Sequence, residues 1–111
     1  MKQQDAIDAF AALAHETRLS VFRLLVREGP APMPALEIAR RLGAKPSTLS
    51  GHLAILKRAG LVSATRRQKE ILYTPDMSTT DALVLFLLAD CCGGDAAACA
   101  SVLSWRSGAA G

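Results

Sequence analysis

The chain has 111 residues, half of them hydrophobic, and this length predicts one domain spanning residues 1–111. Its net charge of +3 is unevenly distributed, because residues 38–69 contain eight basic side chains and no acidic one. The longest apolar run, residues 82–89, is far shorter than the about 20 residues that span a membrane, and no signal peptide is apparent. These features predict a cytoplasmic protein with no membrane partner.

Four helices are predicted in the first 60 residues. They cover residues 4–14, 16–28, 34–42 and 46–59, with Pro34 at the first position of the third and Gly29, Gly43 and Gly60 at helix ends. Apolar spacing places Ile7, Phe10, Ala11 and Ala14 on one face of the first helix and Leu19, Phe22 and Val26 on one face of the second. In the fourth helix, Leu49, Leu53 and Leu56 are predicted to form the buried stripe.

The remaining third of the chain begins with a predicted two-stranded hairpin at residues 61–74, whose polar tip is residues 67–69. A last helix follows at residues 78–92, opened by a capping pattern at Ser78 and Asp81 and ended by Gly93 and Gly94. Residues 104–111 are expected to be a disordered tail. The predicted fold class is mainly α with a small β-hairpin.

The third and fourth helices followed by a basic hairpin indicate a winged helix-turn-helix that binds double-stranded DNA. An acid-free basic segment suits a polyanion, although a solvated charged face is the alternative interpretation. Gly51 would let the fourth helix approach DNA closely. His52 is predicted to be exposed and to face the groove, with metal ligation as its alternative role. The candidate DNA-binding residues are Lys45, Ser47, Thr48, Ser50, His52, Arg66, Arg67 and Lys69.

Two segments, LAHETRLSVFRLL (residues 13–25) and STLSGHLAILKRAGLV (residues 47–62), resemble the ArsR/SmtB family of winged-helix repressors. The resemblance implies a homodimer that releases its operator when a metal or metalloid binds. The arsenic-sensing Cys-x-Cys motif known before the recognition helix in this family is absent, since this chain has LEIARRL there.

All three cysteines lie in one segment, DCCGGDAAAC (residues 90–99). Thiolates are soft ligands, and trivalent arsenic binds three of them in a trigonal pyramid. The segment resembles the C-terminal arsenite site of one branch of the family, which implies that Cys91, Cys92 and Cys99 bind As(III) as inducer, with Sb(III) as a further candidate ion.

Other interpretations of the cysteines remain open. Zn(II) or Cd(II) could use Asp90 or Asp95 as a further ligand. Cys99 could instead form a redox-sensitive disulfide with one member of the adjacent pair. The thiols could also be buried apolar groups, or belong to a metalloid-binding protein without a regulatory role. No catalytic motif is apparent, and an enzyme is not expected.

The last helix is apolar on all sides, with six consecutive apolar residues at 83–88. A helix packed on one side needs only an apolar stripe. The sequence therefore predicts a homodimer formed through the first and last helices, with a fully buried central helix as the alternative. A two-fold dimer predicts a pseudo-palindromic operator.

Overall fold

The computed structural model describes residues 1–89. Within this range the mainly helical winged helix-turn-helix fold predicted from the sequence is confirmed, and the four helices before the wing lie within two residues of their predicted bounds. The elements are α1 (Gln3–Leu13), α2 (Glu16–Glu28), β1 (Met33–Pro34), α3 (Ala35–Leu42), α4 (Pro46–Arg58), β2 (Val62–Arg67), β3 (Glu70–Pro75) and α5 (Met77–Leu87).

The wing is a three-stranded antiparallel sheet of order β1-β3-β2, not the isolated hairpin predicted from the sequence. The missed strand, β1, pairs Met33 with Tyr73 and Pro34 with Leu72. The prolines around β1 indicate an interruption of regular secondary structure, yet proline is tolerated in a strand at the edge of a sheet. Pro34 was predicted at the first helical position of α3. In the structure it is instead the N-cap residue, with an extended backbone, and the helix begins at the next residue.

The hydrophobic core lies where α2, α3 and α4 meet the base of the wing. The predicted stripe of α4 is confirmed, since Leu49, Leu53 and Leu56 are all at most 1% exposed. Leu25, Ile38 and Leu61 are fully buried with them. Burying each of these side chains contributes about 1.5–3 kcal/mol. The core therefore holds α4 in a fixed orientation, with its opposite face in solvent.

The apolar faces that spacing indicates on α1 and α2 are mostly not the faces that these helices bury in the single chain. Helix α1 buries Ala6, Ala9 and Ala12, while Ile7 and Phe10 are 48% and 40% exposed. Alanine side chains are small, so they allow the backbone of α1 to approach α2 and α4 closely, and the alanine face of α1 therefore points inward. In α2, Phe22 is buried, but Leu19 and Val26 are exposed and the core side chains are instead Val21, Leu24 and Leu25.

Helix α5 starts one residue before the predicted start and has a different cap. The N-cap is Asp76, whose carboxylate accepts hydrogen bonds from the backbone N–H and the hydroxyl of Ser78. These bonds lower the pKa of Asp76, and the bond from the Ser78 hydroxyl has the largest effect. The helix ends at Leu87, not before Gly93 as predicted, at a point where the sequence has no glycine or proline. The predicted tail at 104–111 lies outside the described residues.

Candidate nucleic-acid interface

The turn between α3 and α4 sets the direction of α4. Gly43 ends α3 in the left-handed conformation, with φ of 65°, which favours glycine over residues that carry a Cβ. The N–H of Ala44 then donates to the carbonyl of Ala39 at 3.0 Å. Because Leu49 and Leu53 anchor α4 in the core, the first turn and outer face of this helix project away from the domain, as a recognition helix requires.

The N-terminal turn of α4 combines exposed hydroxyls with unshared backbone donors. Lys45 is the N-cap residue but makes no capping hydrogen bond through its side chain, and Pro46 follows it at the start of the helix. Ser47, Thr48 and Ser50 are all exposed. A helix N-terminus carries a partial positive charge and free N–H groups, which favour a phosphate. Lys45 adds a full positive charge to this end.

The tip of the wing carries a second group of exposed cations. Arg66 and Arg67 lie at the end of β2, and Lys69 lies in the turn before β3. The backbone reverses at Gln68, whose φ of 57° is the left-handed value that hairpin turns usually assign to glycine. The Nε of Arg66 donates to the Gln68 carbonyl at 3.4 Å. The turn therefore presents its guanidinium and ammonium groups beyond the end of the sheet.

Two of the eight cations in the basic segment are paired with carboxylates that precede it in the sequence. Glu37 accepts hydrogen bonds from Arg40 and Arg41, and these bonds lower the pKa of Glu37 to about 2. Arg41 also bonds to Glu28 at 2.6 Å. These pairs have a signature in the sequence, because Arg40 and Arg41 follow Glu37 by three and four residues, the spacing at which side chains on one helix meet. Within residues 1–89, the cations of this segment that form no ion pair are Lys45, Lys57, Arg58, Arg66, Arg67 and Lys69, which include every basic residue predicted to contact DNA.

His52 is half-buried, so the prediction of a fully exposed side chain facing the groove is wrong in that respect. Its ring lies 4.5 Å from that of His15, centroid to centroid, and its Nδ1 is 3.3 Å from Nη1 of Arg18. Burial, His15 and Arg18, in that order, lower the pKa of His52. Sequence reasoning missed Arg18, because its partner is 34 residues away and no local pattern joins them.

Gly51 lies on the exposed side of α4 between two candidate contact residues. A Cβ built on this glycine would meet no atom of the protein within 4 Å, apart from the helix's own backbone and its chain neighbours, and its φ is not positive. The fold itself therefore does not require glycine here. The close approach to DNA predicted from the sequence remains a reason for it.

The described residues contain no alternative metal or membrane site. Within residues 1–89, no three His, Cys, Asp or Glu side chains are grouped so that they could hold a metal ion. In the same range, no helix is long and apolar enough to cross a membrane. The predicted ligands Cys91, Cys92 and Cys99 lie outside the described residues.

Comparison with known proteins places these features in a family. A helix-turn-helix domain model matches residues 13–63. An uncharacterized HTH-type transcriptional regulator of Methanocaldococcus jannaschii is 37% identical over 65 residues, which are 59% of this chain and 71% of that protein. The transcriptional activator HlyU of Vibrio cholerae is 30% identical over 82 residues, covering 74% of this chain and 73% of HlyU.

Solved structures agree with these relatives. An ArsR-like transcriptional regulator from Rhodococcus has a TM-score of 0.67 at 28% identity, covering 76% of each chain. The homodimeric winged helix-turn-helix domain of a possible ArsR-family regulator from Mycobacterium bovis has a TM-score of 0.64 at 26% identity, covering 77% of each chain. This chain therefore belongs to the ArsR family of winged helix-turn-helix transcriptional regulators.

Proposed function

We propose that this regulator is an arsenite-responsive repressor, which binds its operator as a homodimer in the cytoplasm and releases it when Cys91, Cys92 and Cys99 bind As(III). The observation that carries the DNA-binding part is the exposed first turn of α4 beside the cationic wing tip, on a helix anchored by the core. Lys45, Ser47, Thr48 and Ser50 would contact the major groove and its phosphates.

The wing would contribute phosphate contacts beside the groove that α4 enters. Arg66, Arg67 and Lys69 are exposed at its tip and form no ion pair in the described structure. Phosphate contacts position a protein on DNA, whereas contacts to base edges confer sequence specificity. The wing cations would therefore increase affinity for any duplex, and the α4 side chains would select the operator.

The homodimer is proposed from the exposed apolar faces of α1 and α5. Ile7 and Phe10 on α1 and Leu85 and Leu87 on α5 are each between 40% and 60% exposed in the single chain. Both helices border one cleft, lined by Asp5 and Asp8 on one side and Ser78 and Thr79 on the other, so a second copy could cover both. The Mycobacterium bovis neighbour is itself a homodimer.

The sensing part of the proposal depends on chemistry and position. The chain has only three cysteines, all of them in residues 91–99, just after the exposed apolar helix proposed to form the dimer. Three soft thiolates match the preference of trivalent arsenic. A structural neighbour 25% identical to this chain, with a TM-score of 0.63, is named a possible transcriptional regulator for arsenical resistance.

The test is fluorescence anisotropy of the reduced protein on DNA from upstream of its own gene, titrated with arsenite. We expect binding in the absence of arsenite and release at near-stoichiometric arsenite. The Cys91→Ser and Cys99→Ser variants should bind the same DNA but remain bound when arsenite is added. If either variant releases DNA as the wild type does, that cysteine is not an essential ligand. Antimonite is titrated in parallel.

A second candidate effector is an oxidant or a divalent metal acting on the same thiols. One solved structure of HlyU, 29% identical to this chain with a TM-score of 0.62, is that of its reduced form, which favours including a redox arm. Peroxide, Zn(II) and Cd(II) are therefore titrated on the same complex. HlyU is named an activator, so a promoter–reporter fusion in cells should decide the direction of regulation. Repression predicts higher reporter output when this gene is deleted.

A further inference from the structure

One guanidinium joins the end of α1 to the helix proposed to enter the groove. The Nε of Arg18 donates to the carbonyl of Ala12 at 2.6 Å, and Nη2 reaches the carbonyl of Ala11 at 3.5 Å. The last carbonyls of a helix lack partners within the helix, so Arg18 satisfies that of Ala12, whereas that of Ala11 also accepts from the N–H of Ala14 at 3.3 Å. Its third nitrogen, Nη1, is 3.3 Å from Nδ1 of His52 on α4.

The chemistry of this contact determines the protonation state of His52. A guanidinium can only donate hydrogen bonds, so Nδ1 of His52 must accept and must carry no proton. The ring is then neutral, with its proton on Nε2. On the other side of the ring, Nδ1 of His15 accepts from the N–H of Thr17 at 3.1 Å and caps α2.

We propose that Arg18 is a positioning residue for DNA binding: it fixes α4 against the end of α1 while His52 is neutral, and operator affinity falls when His52 takes up a proton. The inference rests on the proposed role of α4 as the helix that enters the groove. It links α1, which carries the proposed dimer face, to α4 through a contact that pH controls.

The charges around His52 give the direction of the effect. Burial of the ring opposes its protonation most, and His15 at the start of α2 and Arg18 of α2, which face the ring, oppose it further. Helix α1 contributes Asp8, which lines the same cleft as Arg18 and accepts a hydrogen bond from Gln4. The pKa of His52 is lowered, so the bridge is present at neutral pH and is lost as pH falls through that value. Protonation then places a cation against the guanidinium.

A competing effect has the opposite sign and can be separated from the first. Protonated His52 adds a positive charge near a polyanion, which alone would strengthen DNA binding at low pH. In the wild type, loss of the bridge opposes this gain. In an Arg18→Met variant only the added charge remains, so affinity should stay level or rise as pH falls. The sign of the pH dependence therefore reports whether Arg18 acts through His52.

The experiment measures operator affinity near pH 8 and near pH 5 in a His15→Asn parent, because the lowered pKa of His52 requires a pH well below its usual range to protonate the ring. Asparagine is a good N-cap residue, and in this parent His52 is the only histidine. We expect the parent to bind several-fold more weakly near pH 5. Arg18→Met should bind roughly tenfold more weakly than the parent near pH 8 and lose or reverse the pH dependence. His52→Asn, which keeps an acceptor but cannot titrate, should lose the pH dependence.

Arg23→Met is the matched control, because Arg23 is an exposed cation on the same helix with no bonding partner in the described structure. It should keep the pH dependence of the parent. Histidine titration by NMR gives a readout without DNA, in which Arg18→Met should raise the pKa of His52. If Arg18→Met does not fold, the His52→Asn result decides.

The outcomes separate this inference from the proposed function. One outcome overturns the role of Arg18 alone. It is that the parent binds operator, and Arg18→Met or His52→Asn shows the same ratio of affinities between the two pH values as the parent. A parent that binds no operator at either pH overturns the DNA-binding proposal and the role of Arg18 with it.

Discussion

Gly51 is a helix residue for which the isolated protein offers no structural reason. Glycine inside a helix costs about 1 kcal/mol relative to alanine, and a Cβ at this position would contact no neighbouring group. A residue that weakens the free protein without serving its packing is expected to serve a bound state. The proposed bound state is α4 in the major groove, where a missing side chain allows the helix backbone to come close to DNA.

The Gly51→Ala variant tests this explanation. We expect the free energy of unfolding to rise by about 1 kcal/mol because alanine is the better helix former, and operator affinity to fall because the new methyl group meets DNA. Urea denaturation and anisotropy measure the two effects. A variant that is more stable and binds operator as well as the wild type would show that the helix does not approach DNA at this position.

For single residues, the sequence predicted burial correctly where a helix has one apolar and one polar face. It failed where a side chain contacts residues that are distant in the sequence. Leu49, Leu53 and Leu56 were correctly predicted as core, since the other face of α4 is polar. His52 was predicted to be exposed because of its place in the helix-turn-helix motif, and nothing local indicated Arg18 or His15. Contacts over 34 residues depend on how α1, α2 and α4 pack, which periodicity does not encode.

The wing shows strain at the scale of a single element. Its two-residue turn places Gln68 at a φ of 57°, where a side chain costs roughly 1–2 kcal/mol. Gln68→Gly should relieve this cost, although glycine loses more chain entropy on folding, by roughly 0.5–1 kcal/mol. We expect a net gain of about 0.5–1 kcal/mol in unfolding free energy by urea denaturation.

The neighbouring turn residue provides the control for this exchange. Lys69 does not have a positive φ, so Lys69→Gly gains no relief from strain and should lose stability. Equal effects of the two substitutions would indicate that the turn tolerates glycine generally and that the backbone at Gln68 is not strained. Sequence analysis predicted the hairpin from its flanking strands, but a left-handed glutamine has no signature in composition.

The bounds of the helices were predicted well, because they depend on local signals. The buried faces of α1 and α2 could not be predicted as well, because they depend on packing between distant parts of the chain. Helix ends are marked by local signals such as Gly43 and Pro46, and these placed α3 and α4 correctly. Helices α1 and α2 each carry apolar residues on two sides. Spacing alone does not say which side faces the core of one chain, and the apolar faces that it indicates contain Ile7, Phe10 and Leu19, which are exposed in the single chain. The structure assigns the alanine face of α1 to the core instead.

At the scale of the whole molecule, the exposed apolar face of α5 needs a partner. Only Leu83 is buried among the described residues of this helix, while Leu85 and Leu87 are 57% and 60% exposed. Grouped apolar side chains of this kind mark protein–protein interfaces. A second copy that covers α1 and α5 would also place two α4 helices on one face, spaced for two half-sites of DNA.

The Leu85→Glu variant tests whether operator binding depends on this interface. A buried, unpaired carboxylate at a dimer contact is strongly unfavourable, so we expect sedimentation or light scattering to show a monomer. Each monomer then binds one half-site alone, and operator affinity should fall by a factor on the order of 100 or more because the second half-site is no longer held nearby. Leu36→Glu changes a side chain that is 69% exposed on α3 and should leave the dimer intact. A monomeric Leu85→Glu variant with undiminished operator affinity would mean that one chain suffices for recognition, and the arsenite response would then have to act within a single winged helix, not through the relation between two.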